Sequence, residues 1–249
     1  MTKSLAPALT LVALVLFWEA AVRFFAIPPA QLPAPSLIAA TLCDNARPLL
    51  AATATTLGVA LQALLLAATG GVALALIFAW SPLLEKAFLP LAIGLQVTPL
   101  IAVAPLLLIY LNSRAAVLAC AFLVAFFPIL SNALAGLDAT NRGLVELFRL
   151  KGASRGKILL LLRLPSALPQ IFTGLRIGGG LSLIGAVAAE LAAGAAGSGE
   201  GLAFRIVEAG YRLKIPLMFA AVALLCFCGV ALYAILAGLS RLALRRWRD

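Results

Sequence analysis

No histidine occurs among the 249 residues. That absence removes the commonest general base, the commonest proton shuttle and the commonest metal ligand together. Four cysteines remain, Cys43, Cys120, Cys226 and Cys228. Cys226 and Cys228 fall about 200° apart around a helix, so they cannot close on one ion there. A zinc site would also lack imidazole nitrogen. The cysteines read as small packing residues, and no metal site is expected. The only aspartates, Asp44, Asp138 and Asp249, fall outside the long apolar runs, which argues against an intramembrane carboxylate enzyme. A phosphate-binding loop needs G-x4-G-K-[ST], with backbone amides and a lysine on the phosphates. The nearest stretch, Gly194 to Gly201, carries Glu200 where the lysine belongs and reads as a turn. The chain is therefore not expected to be an enzyme or to bind a cofactor of its own.

The remaining polar groups of interest lie inside apolar runs, where ionisable side chains are costly and need a reason. Glu19 and Arg23 are four apart with the acid first, the favourable order for a helical ion pair. Arg176 either snorkels toward an interface or pairs with a carboxylate. Glu190 has no partner nearby in sequence and either caps or pairs with a basic outer residue, or faces a pathway. Gln96, Thr98, Pro99, Ser131, Asn132 and Ser182 are candidates, with Glu190, for lining a translocation pathway, because polar and helix-breaking residues at membrane depth belong beside a cavity. Each is equally suited to an interhelical hydrogen bond. Gly174, Gly178, Gly179, Gly180 and Gly185 allow close helix approach, within the chain or across a dimer.

These residues sit in a chain that is 64% hydrophobic and 11% charged. Soluble domains run at roughly 45–50% and about 25%. The mean hydropathy is +1.12. Lipid must be the solvent for most of this surface. Six runs are long enough to span a bilayer: 4–27, 51–80, 87–111, 115–137, 166–193 and 215–242. The first reads as an uncleaved anchor rather than a signal peptide. The third is interrupted by Pro90, Pro99 and Pro105. Two shorter amphipathic segments are expected to lie at the interface, one after Ser36, read as its N-cap, and one over 200–214. The expected fold is all-α and polytopic, a single transmembrane domain over 1–249.

The net charge is +10. With both termini inside, twelve of the nineteen basic residues fall on the inner side and six on the outer side, with Arg176 in the fifth span. That bias gives an N-in, C-in orientation. The excess is thus a membrane signal, and no nucleic-acid partner is expected. Half of the inner charge sits in one loop, 138–164, as Arg142, Arg149, Lys151, Arg155, Lys157 and Arg163. The loop reads as two short helices split by Gly152, Ala153 and Ser154. Leu144, Leu147 and Phe148 share a face of the first. On physical grounds alone the loop suits a surface lying on anionic headgroups.

The spacing in this loop resembles the cytoplasmic motif E-A-A-x3-G-x9-I-x-L-P of permease subunits of bacterial ATP-binding-cassette importers. Glu146 and Gly152 stand at that spacing, followed by Leu162, Leu164 and Pro165. Leu147 and Phe148 replace the two alanines, and Leu162 replaces the isoleucine. The stretches GASRGKILLLLRLPSALPQIFTGLRIG, LPAPSLIAATL and AAELAAGAAGSGEGLAFRIVEAGYRL, with the RRW tail, resemble the nitrate, sulfonate, taurine and thiamine-pyrimidine-precursor branch. The resemblance covers most of the chain.

The resemblance implies a type I importer permease in a bacterial inner membrane. It implies a second copy of the chain, two cytoplasmic ATPase subunits that bind ATP and magnesium, and an extracytoplasmic solute-binding protein. It assigns ATPase coupling to Glu146, Leu147, Phe148, Arg149, Lys151, Gly152, Ala153, Ser154 and Arg155. The stretch GLAFRIVEAGYRLKIP inclines the substrate toward a pyrimidine precursor, with a sulfonate, nitrate or aromatic acid open. The alternative reading is a secondary transporter or channel working without an ATPase, whose marks are inverted repeats and paired buried charges. No clear internal repeat is present in the sequence.

Overall fold

The computed structural model describes residues 2–195 and 200–245. The second half of the glycine-rich turn, 196–199, and the tail from Arg246 lie outside the described residues. Among those described, every regular element is helical. The chain divides into two compact units, Met1–Thr55 with Glu200–Phe227 and Thr56–Gly199 with Cys228–Asp249.

The first unit contains α1 (Thr2–Phe24), α2 (Pro35–Asp44), the start of α3 (Ala46–Trp80), α10 (Leu202–Tyr211) and the start of α11 (Ile215–Leu244). Its core joins Ile38, Leu49, Ala52, Leu202, Ala220 and Ala221. Trp18 sits beside Phe219, their rings 6.2 Å apart. Ser36 does not cap α2. The N-cap is Ala34, Pro35 takes the first helical position, and Ser36 lies in the first turn. Proline suits that position because its missing N–H would have no helical acceptor. The cap comes from Glu19 on α1. Its Oε2 accepts from the Ser36 backbone N–H at 2.9 Å, and its Oε1 accepts from the Ser36 hydroxyl at 2.8 Å and from Arg23 Nε at 2.7 Å. The segment over 200–214 also differs from expectation. Leu202, Ala203 and Ala209 of α10 are buried, so protein takes part of the apolar face expected to lie in lipid.

The second unit contains the rest of α3 and α11, with α4 (Pro82–Gln96), α5 (Leu100–Tyr110), α6 (Ser113–Asp138), α7 (Arg142–Leu150), α8 (Arg155–Ile158) and α9 (Leu164–Ala195). Four helical stretches among the described residues are long and apolar enough to cross a membrane: Ala46–Trp80, Ser113–Asp138, Arg155–Gly194 and Ile215–Leu244. They overlap the apolar runs 51–80, 115–137, 166–193 and 215–242. The third expected span, 87–111, is not one helix. It breaks into α4 and α5 at Val97–Pro99. Proline fixes its own φ, and it pushes the preceding residue, Thr98, away from the helical region. Pro90 and Pro105 stay inside their helices.

Pro165 does not break the chain either. The chain runs from Arg155 into α9 without a turn, through a π-helical segment at Leu159–Arg163. A wider turn just before a proline gives its ring room and spares the hydrogen bond it cannot make. Inside this unit α9 lies along α6. A Cβ added at Gly174 would meet Asn132 Cβ at 2.9 Å, and one at Gly185 would meet Ala121 Cα at 2.9 Å. The glycine row is used within the chain, where the sequence left a dimer contact open.

Candidate functional site

Asn141 begins the 138–164 loop's first helix. Its side-chain oxygen accepts from Gly143 N at 2.8 Å and from Leu144 N at 3.4 Å, capping α7. At the other end Gly152 adopts φ 74°. Gly152 N–H donates to Arg149 O at 2.9 Å, and Ala153 N–H donates to Phe148 O at 3.0 Å. Those two bonds form the Schellman arrangement, which needs a left-handed residue and so favours glycine. A Cβ at Gly152 would meet nothing within 4 Å, so the demand for glycine is conformational and not one of space. Ser154 then caps α8 by accepting from Lys157 N at 3.4 Å. The result is a rigid corner of two helices.

No residue of α7 is buried, and its apolar side chains are left uncovered. Leu144, Leu147 and Leu150 of α7 are 45%, 47% and 86% exposed. Phe148 is only half-buried. The charged side of α7, Arg142, Glu146 and Arg149, lines a cleft of about 500 Å³ instead. Arg155, Asp138, Thr140 and Trp80 also line it. At its floor Arg163 Nη2 donates to Asp138 Oδ1 at 2.7 Å, Nε donates to Leu137 O at 3.0 Å, and Nη1 donates to Ala79 O at 3.3 Å. Arg163 thereby ties the end of α3, the end of α6 and the start of the α9 stretch. Both expected inner connections, after the second and fourth spans, thus meet in one cleft. Lys151, Gly152, Ser154 and Arg155 are exposed and Ala153 is half-buried. Of the expected charged rim, Arg149 and Arg155 face the cleft.

A second cavity, about 260 Å³, opens where the chain breaks between α4 and α5. Gln96 and Thr98 line it with Leu95, Val103, Phe127 and Leu181. Thr98 Oγ1 donates to Gly94 O at 3.1 Å. Pro99 sits at the break itself. Of the other pathway candidates, Ser131 is exposed, and Asn132 Nδ2 donates to Pro128 O at 2.8 Å. Ser182 is fully buried and donates to Gly179 O at 2.9 Å. Arg176 Nη2 donates to Thr173 Oγ1 at 3.3 Å.

Glu190 is 4% exposed and meets Thr56, which is 1% exposed, at 2.8 and 3.0 Å from its two oxygens. The partner lies 134 positions away, so sequence reading had no local signal for it. Thr56→Val keeps the shape and deletes one of the hydrogen-bonding groups on a buried carboxyl. A loss of about 1–3 kcal/mol is expected, read as a lower unfolding temperature of the purified chain in detergent. Thr55→Val, at an exposed position on the next residue, should change little.

Residues 67–249 match the model of the binding-protein-dependent transport system inner membrane components. A probable ABC transporter permease protein of Haemophilus influenzae is 31% identical over 230 residues, 92% of each chain. The formylaminopyrimidine transport permease protein ThiX of Halalkalibacterium halodurans is 32% identical over 248 residues, covering 99% of this chain and 97% of that one. The taurine transport system permease protein TauC of Escherichia coli is 31% identical over 247 residues, covering 95% of this chain and 84% of that one.

Proposed function

Since the chain belongs to the binding-protein-dependent transport system inner membrane components, we propose that Arg142–Arg155 is the element through which an ATPase drives it. The chain is a permease subunit of an ATP-binding-cassette importer, a multi-pass protein of the plasma membrane. ATP is hydrolysed by a separate subunit, and an external solute-binding protein is the family's other partner. The reading without an ATPase is set aside.

The observation that carries the proposal is the outward leucine row of α7. Exposed apolar side chains on a helix outside the spans call for a partner. Apolar anchors with a charged rim suit a socket in another protein. Lys151 and Ser154 complete the exposed rim, and the Gly152 turn makes the corner stiff enough to transmit a push. Two permease copies on two ATPase subunits would bring the two corners together when ATP closes the ATPase pair. Swinging a transporter from 1:99 to 99:1 takes about 5.5 kcal/mol of differential interaction.

The solute passes beside the α4–α5 break. Gln96 offers an amide and Thr98 an oxygen in an otherwise apolar wall, which suits a small planar or neutral solute with amide-like groups. A formylaminopyrimidine-like precursor fits that chemistry better than a bare anion. The test is uptake into proteoliposomes holding the permease, its ATPase and its binding protein. Uptake of the pyrimidine precursor should require ATP and all three proteins, and taurine should compete weakly. Uptake by the permease alone would overturn the ATPase proposal. Strong competition by taurine would overturn the substrate proposal and leave the coupling proposal standing.

A further inference from the structure

We propose that the cleft beneath α7 holds the headgroup of an anionic phospholipid, with one acyl chain in the apolar groove beside it. Arg142, Arg149 and Arg155 line the cleft. None of them makes an ion pair among the described residues, whose four ion pairs involve Arg23, Arg163, Arg205 and Arg212. Arg163 is taken by Asp138, so Glu146 is the carboxylate left to oppose three free guanidiniums. The surplus is positive and concave, the arrangement that binds a phosphate diester.

A second, wholly apolar groove of about 280 Å³ is lined by Leu76, Ile77, Trp80, Leu84 and Leu159. Trp80 and Leu159 belong to both. A charged pocket joined to an apolar trough at a tryptophan matches a lipid in its order of parts, headgroup, interface and chain. Trp80 is half exposed, and its ring lies against Gly156, where a Cβ would stand 3.5 Å from Cζ3. A soluble phosphate would use the arginines and leave the trough empty, and a protein acid would not enter it. The occupant is therefore a lipid of the cytoplasmic leaflet, whose anionic headgroups attract such clusters.

The inference shares with the coupling proposal the assignment of this side to the cytoplasm. It uses the opposite face of α7 from the leucine row, so the two fail separately. The permease–ATPase complex is purified in mild detergent and titrated with phosphatidylglycerol or phosphatidylcholine under native mass spectrometry. Phosphatidylglycerol should be retained preferentially. Arg142→Gln/Arg149→Gln/Arg155→Gln should weaken that retention about a hundredfold, the effect of removing three basic groups beside an anionic headgroup. Arg114→Gln, an exposed arginine that lines neither groove, should leave it unchanged. Phosphatidylglycerol brominated on its acyl chains should also quench wild-type tryptophan fluorescence more than brominated phosphatidylcholine, and the difference should vanish in Trp80→Phe. That second measurement stands if the triple variant does not fold.

Equal retention of both lipids would overturn the proposal. So would displacement of the lipid by glycerol phosphate, which would mark a free-anion site. Loss of ATPase binding in the triple variant with lipid retention intact would assign the cleft to the ATPase and overturn it too.

Discussion

Leu147→Gln with Leu150→Gln should leave a folded, membrane-inserted chain that no longer holds its ATPase. Burying a leucine side chain is worth about 1.5–3 kcal/mol. Two such losses at one contact come to roughly 3–6 kcal/mol, and each 1.4 kcal/mol is tenfold in affinity. Co-purification of the ATPase should fall at least about a hundredfold, and ATP-driven uptake with it. The chain's own stability should hardly move, because both side chains are exposed and substitutions at such positions usually stay within about 0.5 kcal/mol. Glutamine is chosen because its helix propensity is close to that of leucine, so α7 should persist. Thermal unfolding of the permease in detergent, compared with ATPase recovery on the same preparation, separates the two effects. Full ATPase recovery with both substitutions in place would remove α7 from the interface.

The contrast between those two readouts reflects what the sequence could say about α7 and what it could not. Periodicity placed Leu144 and Leu147 on one side, and the Gly152–Ser154 break marked where the helix ends. It was silent on which side faces outward, since an amphipathic helix reads the same whether its leucines meet the core or another protein. Only the folded chain shows that Arg142, Glu146 and Arg149 line the cleft while Leu144, Leu147 and Leu150 stay uncovered. The third span shows the same division. Three prolines were visible in 87–111, but only Pro99 breaks the chain, and proline identity alone does not say which carbonyls have neighbours to satisfy them. The Ser36 reading failed for a related reason. Serine before an apolar run is a good cap on local grounds, yet a carboxylate from α1, seventeen residues back, reaches the Ser36 amide first. The apolar spans were legible because lipid enforces composition over a long window. The Glu190–Thr56 pair and the coupling of Arg163 to three elements were not, because each depends on which helices lie side by side.

Gly185→Leu is the substitution expected to damage the chain most. The opposing atom is the backbone of α6, Ala121 Cα at 2.9 Å from the added Cβ, with Cys120 O at 3.4 Å. A side chain could rotate away, as Ile129 Cδ1 can opposite Gly178, but a backbone cannot. α6 and α9 would have to part along their length. The seam tolerates little parting, because Gly136 on α6 meets Gln170 Cβ and Ala167 at 2.8–3.0 Å toward its other end, and Gly174 meets Asn132 between them. Overpacking a tight core costs about 1–3 kcal/mol where side chains can give, and more where they cannot. Without a hydrophobic drive between helices in lipid, close packing of small residues is what holds such a seam, so its loss is not made up elsewhere. The chain should fail to accumulate as a monodisperse species. Gly180→Leu, five positions earlier at a site with nothing within 4 Å of the added Cβ, should be tolerated. Size-exclusion profiles of fluorescently tagged chains measure both. If Gly185→Leu gave a folded chain that had lost only its self-association, the glycine row would be a contact between copies, and the intrachain seam would be the wrong account of it.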